Sequence, residues 1–464
     1  MAKGLKYVRL WLPAGTIVLV AALGLIYRPD NLLRVGTASI SQVLCEEVFI
    51  AGLSPQRVFD EEVRPRPGLR PLLNYLRYDI DTEQRAITTR WAGHFASVAQ
   101  DLPGYGCRIV TAVAKALPTP LLSPAASRPS IEGPTPVATE NQALESALEH
   151  AFAEPAHSPY RQVRAVVVMH DGHVITERYA QGITPTTPLL GYSATKSVMN
   201  ALVGILVQEG KLRVDQPTGL AAWNRQGDWR KAITLDQLLR MTSGLDLTED
   251  DSGSDPVSKM LFRHTDDMAA YAETARLQIK PGTRWAYSSG NTLIVASMVR
   301  NAVGGSAVAV QAFAQRELFG PLGMQHVTME LDGAGTPVGS TRILASARDW
   351  AHFGQLYLDD GILDGKRLLP TGWVRYSTTP TLGTDYGAGF WLNSSDADDA
   401  RWRVRHGMPP DSFYASGLFG QRIVIVPSQR LVIVRMGQTM DPPDFDIQGL
   451  VQLTAEVVAA VQSR

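Results

Sequence analysis

Cysteine is nearly absent. Only Cys45 and Cys107 occur among 464 residues, far apart, and neither has a close His or Cys neighbour at zinc-ligand spacing. No metal and no cofactor are therefore expected. Charge of one sign is absent too. Forty-four basic residues face forty-five acidic ones, for a net charge of −1. That leaves no basic footprint for nucleic acid. The chain has no Gly-x-Ser-x-Gly elbow, which disfavours an α/β-hydrolase. It has no His-Glu-x-x-His, which removes zinc proteases of that kind. No internal period is visible. The nine histidines are scattered, and His170, His173 and His406 read as structural or surface residues.

What remains is an ordinary core-forming composition, 45% hydrophobic and 19% charged, long enough for one large domain plus a smaller unit. Lys3, Lys6 and Arg9 precede an uncharged apolar run from Leu10 to Tyr27. Its length approaches the ~20 residues that span a bilayer. Residues 1–30 thus read as a membrane anchor with its basic end in the cytoplasm. The competing reading is a signal peptide cleaved near Ala22-Leu-Gly24. Either places the rest of the chain outside the cytoplasm, with the membrane as a partner in the first case. In an oxidising compartment Cys45 and Cys107 read as one disulfide within a small module over 41–116. Two buried thiols are the alternative. A linker over 117–140, crowded with Pro, Ser and Ala, leads to the main domain at 141–464.

In that domain Asn141–Ala153 is amphipathic. The runs 164–170 and 174–179 flank Asp171-Gly172, a hairpin signal. Apolar residues at 198, 202 and 205 mark one buried face of a helix ending near Gly210. Helices are also expected over 235–241 and 292–302. Two buried strands, from Arg422 and from Arg430, and a helix over 448–461 close the chain. Strands at both ends with helices between them predict an α/β (α+β) fold. It would be an antiparallel sheet flanked by helices, with a mostly helical part inserted and the site where the two meet.

Chemistry concentrates in three places. Ser193-Ala-Thr-Lys196 opens the apolar-periodic helix, so serine and lysine share one face. There the hydroxyl is within reach of an amine able to take its proton, and the helix N-terminus favours the resulting anion. Lys196 has to be neutral to do this, which burial promotes. Tyr287, with Ser289, lies on a loop before a helix, and a phenol beside a lysine suits proton transfer. Ala415-Ser416-Gly417-Leu418 precedes the strand from Arg422, and an N–H there would pair with that of Ser193 as an oxyanion hole. Leu418 is favoured as donor, with Ala415 the alternative. The run Glu249-Asp250-Asp251 reads as a solvated loop.

In this order and spacing, the three segments resemble the serine β-lactamase and penicillin-binding protein superfamily. They are most similar to its class C-like branch of esterases and 6-aminohexanoate-dimer hydrolases. The resemblance covers 141–464 and extends to Met241-Thr-Ser-Gly-Leu and Lys280-Pro-Gly-Thr-Arg-Trp-Ala-Tyr-Ser-Ser-Gly-Asn. It implies a β-lactamase/transpeptidase-like fold, Ser193 as nucleophile, Lys196 as its activating amine and Tyr287 as proton shuttle. The expected activity is hydrolysis of a small amide or ester substrate through an acyl-enzyme. The alternatives are a β-lactamase or D-Ala-D-Ala carboxypeptidase, or a silent binder of cell-wall peptides. The expected place is the extracytoplasmic face of a bacterial inner membrane, or outside the cell after cleavage. The Lys-Ser/Thr-Gly motif of penicillin-recognising members is missing. Arg403, Arg405 or Arg422 would have to replace its cation.

Overall fold

The computed structural model describes residues 29–66, 69–111, 117, 133–250, 252–442 and 444–463. The apolar run at 10–27 lies outside them, as does most of the linker. Among the described residues no single helix is long and apolar enough to cross a membrane.

The N-terminal unit begins earlier than the expected module. Helix α1 (Pro29–Cys45) starts where the sequence reading places nothing regular, and it lies across a four-stranded antiparallel sheet. That sheet runs in order through β1 (Leu76–Asp81), β2 (Ala86–Trp91), β3 (His94–Leu102) and β4 (Gly106–Ile109). In α1 the polar Thr37, Ser41 and Gln42 are mixed with the buried Val35, Ala38, Ile40, Val43 and Leu44. Thr37, Ser41 and Gln42 are buried too and hydrogen-bonded, Ser41 Oγ donating to Ser97 O at 2.9 Å.

Cys45 and Cys107 form a disulfide joining the end of α1 to β4. The bond sits at a joint with the main domain. The Cys107 amide donates to Glu330 Oε1 at 2.7 Å, and Gln42 Nε2 bridges Glu46 Oε1 and Glu330 Oε2. Burial pushes Glu330 well above the usual carboxylate range, with Glu46 beside it adding to the rise. A second polar joint is Arg164, whose guanidinium reaches Glu47, Glu62 and Glu61. The apolar core runs on through both units.

Closing a loop of 62 residues, the disulfide is expected to contribute about 2–4 kcal/mol. C45A/C107A should lower the denaturant midpoint accordingly under non-reducing conditions. An unchanged midpoint would show that the bond constrains nothing in the unfolded chain.

In the main domain, α2 (Gln142–Phe152) is capped by Asn141, whose side chain accepts from the amides of Ala143 and Leu144. The hairpin of β5 (Val163–His170) and β6 (His173–Tyr179) turns at Asp171-Gly172. Both have positive φ, 48° and 80°, as a two-residue hairpin turn requires. Next come β7 (Leu189–Leu190), helix α3 (Thr195–Gln208) and helix α4 (Ser289–Ala302). Strands β8 (Val327–Met329) and β9 (Ile343–Ala345) join β7 in a small sheet, followed by helix α5 (Ala347–Leu358). The chain ends with β10 (Trp391–Leu392), β11 (Phe413–Gly417), β12 (Gln421–Val426), β13 (Leu431–Gly437) and helix α6 (Ile447–Gln462).

The main sheet has the order β10-β11-β12-β13-β5-β6, antiparallel throughout. Both faces are covered. Ala165, Val167, Ala415, Ile423, Ile425, Val432 and Val434 face the core that holds α3 and α5. Val166, Val168, Tyr414, Val424, Val426 and Ile433 face α2 and α6. Double coverage explains why Ile423–Val426 and Leu431–Val434 are continuous apolar runs rather than alternating ones.

Candidate active site

Ser193 is held by its backbone. Gly191, just after β7, has Trp350 packed against it. A Cβ there would lie 2.3 Å from the indole, so glycine is required. Its amide donates to Ile343 O at 2.9 Å. Tyr192 follows in the left-handed region, φ 46°, a costly conformation for a bulky residue. Its ring meets Phe419 edge-on at 5.3 Å. Ser193 therefore lies in a short 3-10 turn, Tyr192–Ala194, leading into α3, rather than inside the first α-turn as the spacing suggested.

One turn on, Lys196 is buried, with 3% of its surface exposed. Its Nζ lies 3.0 Å from Ser193 Oγ, 3.1 Å from Ser289 Oγ and 3.0 Å from Ser340 O. The Tyr287 ring centroid is 4.7 Å away. A neutral amine in this setting can donate its two protons to Ser289 and Ser340 and present its lone pair to Ser193. That is the protonation state a general base needs.

Tyr287 belongs to a wall of four rings. Trp285, Tyr386 and Trp391 have centroids 6.3, 5.8 and 5.9 Å from it. The last two come from the segment 375–410, which sequence reasoning resolved only as loop. Helix α3 positions this segment. Ser197 Oγ donates to Gly389 O at 2.6 Å, and Asn200 Nδ2 to Ala388 O at 2.7 Å. The Tyr386 phenol is pushed well above its ordinary range by burial and stays neutral.

Glu249 corrects the solvated-loop reading. Asp250 is exposed and Asp251 lies outside the described residues, but Glu249 is half-buried. Its carboxylate accepts from Ser289 N at 2.5 Å and Ser289 Oγ at 2.9 Å. The signal was the motif just before it. Met241 O accepts from Ala286 N at 2.9 Å and Ser243 Oγ donates to Asn291 at 2.7 Å. The Met241 loop is thereby stitched to the Tyr287 loop, and Glu249 follows it in.

At the end of β11, Gly417 runs against Gly191. A Cβ would lie 2.1 Å from Gly191 O, so only glycine permits this approach to the Ser193 turn. Leu418 lies beyond the last pair of the ladder, Gly417↔Gln421, whereas Ala415 is paired inside it with Ile423. Ser416 pairs with Arg422, and alternation puts both side chains on the α2/α6 face with Tyr414 and Val424. The Ser416 side chain thus points away from the α3 face. A contact from the N-terminal unit completes this edge, with Arg66 over the Phe419 ring at 5.5 Å.

None of the three arginines considered as a replacement cation reaches Lys196 or Ser193. Arg422 is buried behind the sheet, donates to Gly417 O and Gln421 O, and is pushed down to about 10 by burial. Arg403 is locked onto Asp385 and Asn393. Arg405 is exposed at the end of a separate helix. His170 sits at the end of β5 beside Asp171, and His173 and His406 are exposed. Among the described residues no group of three or more His, Cys, Asp or Glu is placed to hold a metal.

The architecture has known counterparts. The chain is similar to the 6-aminohexanoate-dimer hydrolase of Paenarthrobacter ureafaciens, with 25% identity over 386 residues, 80% of this chain and 91% of that one. A candidate 6-aminohexanoate-dimer hydrolase from Bacillus anthracis superposes with a TM-score of 0.57 at 18% identity, covering 73% of this chain and 90% of that one. A family VIII carboxylesterase superposes with a TM-score of 0.55 at 16% identity, covering 70% and 98%. Both structural likenesses show a common β-lactamase/transpeptidase-like α/β fold. The model of the family described as Beta-lactamase matches residues 149–455, which include the Ser193 turn, α3, the Tyr287 loop and β11, and this chain belongs to that family.

Proposed function

We propose that this serine hydrolase cleaves a small neutral ester or linear amide through an acyl-enzyme on Ser193. One observation carries the reading, the 3.0 Å contact between Ser193 Oγ and a buried Lys196 whose other two named partners can accept protons. Lys196 takes the Ser193 proton as Oγ attacks the carbonyl carbon. The amides of Ser193 and Leu418 receive the oxyanion. The leaving alcohol or amine departs with a proton relayed from Lys196 with help from Tyr287. Water then repeats the sequence, giving its proton to the base and releasing the acid. A fluorophosphonate probe tests this directly. It should label Ser193 alone, as read by peptide mapping. A probe-silent protein would favour the peptide-binder reading instead.

The substrate class follows from the 6-aminohexanoate-dimer hydrolase and carboxylesterase relatives and from the missing cation. A charge-assisted contact to a β-lactam carboxylate is worth about 1.5–3 kcal/mol, or roughly 10- to 100-fold. Without it, kcat/KM for a nitrophenyl ester or a linear oligo-amide should exceed that for a chromogenic cephalosporin by at least this factor. If the cephalosporin is the best of the three, the β-lactamase reading takes over.

The setting we propose is extracytoplasmic. The apolar run at 10–27 supports export or anchoring, and pairing of the two cysteines fits an oxidising compartment.

A further inference from the structure

Ser289 opens α4, where backbone N–H groups lack intrahelical partners. Ser288 Oγ accepts from Gly290 N, and the Ser289 amide turns to Glu249. The same carboxylate takes the Ser289 hydroxyl at 2.9 Å. A carboxylate has only lone pairs to offer, so the single proton of Ser289 is committed to Glu249. Ser289 Oγ can then only accept from Lys196. Ser340 O, a carbonyl, can likewise only accept. A neutral amine holds two protons and one lone pair. With both protons drawn to these acceptors, the lone pair is left for Ser193.

We infer that Glu249 is a positioning residue. Acting through Ser289, it aims the lone pair of neutral Lys196 at the Ser193 hydroxyl. The inference rests on Ser193 and Lys196 being nucleophile and base. If the carboxylate becomes an amide, its N–H can donate to Ser289. The Ser289 proton is then free to turn onto the lysine lone pair and compete with Ser193. The carboxylate also favours the charged lysine, so removing it eases deprotonation. Among the described residues, ionisable groups facing this pair include Tyr287, under the lysine, and Tyr386, packed on Tyr287 and sensing Glu249. All three variants below leave them in place.

The experiment measures kcat and KM for a neutral nitrophenyl ester across pH. The enzymes are wild type, Glu249→Gln, Ser289→Ala and the double variant, each checked for an unchanged thermal midpoint. Glu249→Gln should lower the kcat plateau by about 10- to 100-fold, the scale of a misaimed reacting pair, with KM little changed. Its acid limb should move to lower pH, because the lysine loses a favourable negative neighbour. In the Ser289→Ala background, Glu249→Gln should cost nothing further in the plateau. The shift of the acid limb reports only the lost charge; a merely structural role would instead make the loss in the plateau add in full to that of Ser289→Ala, and that result overturns the inference. So does a Glu249→Gln enzyme with wild-type kcat and pH profile. Failure of the underlying chemistry reads differently, since Ser193→Ala would then still turn over the ester.

Discussion

Ser193→Ala is expected to lower kcat on any ester by a factor on the order of 10^4 or more, while the thermal midpoint stays close to wild type. The large effect follows from the covalent route, since without Oγ there is no atom to carry the acyl group. Residues that act as one unit lose nearly the whole rate enhancement when one is removed. What survives comes from substrate binding and any remaining oxyanion stabilisation. The small effect on stability follows from the position. Ser193 is half-buried, and its backbone is held by neighbours that the substitution leaves alone, Gly191 against Trp350 and Tyr192 against Phe419. Lys196 keeps Ser289 and Ser340. The measurement is steady-state hydrolysis with protein shown by intact mass to be free of wild type, since trace contamination would mimic a residual rate. Hydrolysis near the wild-type rate would remove Ser193 as nucleophile.

Features with a local cause were legible in the sequence. Asp171-Gly172 announces its hairpin because a tight two-residue turn needs two positive φ angles. The apolar run of α3 is visible, although the helix is buried on every side from Thr195 to Leu206 and not on the one face its period suggested. The strands from Arg422 and Arg430 are visible because a doubly covered sheet needs apolar residues at every position. The Ser193, Lys196 and Tyr287 segments were legible through spacing and resemblance, and the structure places Lys196 against both Ser193 and the Tyr287 ring. Features made by contact between distant loops were not legible. Glu249 reaches Ser289 across 40 positions, with no period to reveal it. Tyr386 and Trp391 enter the site because α3 grips the carbonyls between them, a tertiary fact. Ser416 shows the limit of motif reading. The triplet was found, but the pleat decides which of its members faces the serine, and a shift of one residue exchanges the faces. Helix α1 was missed although Val35, Ile40, Val43 and Leu44 are buried, because the equally buried Thr37, Ser41 and Gln42 are mixed among them.

Lys196→Arg is expected to lose about 10^2- to 10^4-fold in kcat/KM, the contribution of a positioned general base. The change keeps the positive charge, so it separates two roles that lysine could play beside Ser193. If Lys196 only stabilised the alkoxide and oxyanion by charge, arginine would serve, and activity would fall little. If Lys196 must take the proton, arginine fails, because guanidinium does not deprotonate in proteins and has no lone pair to offer. The surroundings point to the second role. Lys196 is 3% exposed, and burial opposes a charged amine. Ser289, committed to Glu249, and Ser340 O leave the Ser193 side for the lone pair. Size adds to the loss, since a planar fork must occupy a site built for one tetrahedral nitrogen. Lys196→Ala controls for that contribution. If proton acceptance is what matters, the alanine enzyme should regain part of its acylation rate when small primary amines are added, and the arginine enzyme should not. The rate of acyl-enzyme formation, followed by the nitrophenol burst, is the measurement. A Lys196→Arg enzyme with an undiminished burst rate would mean that the base lies elsewhere.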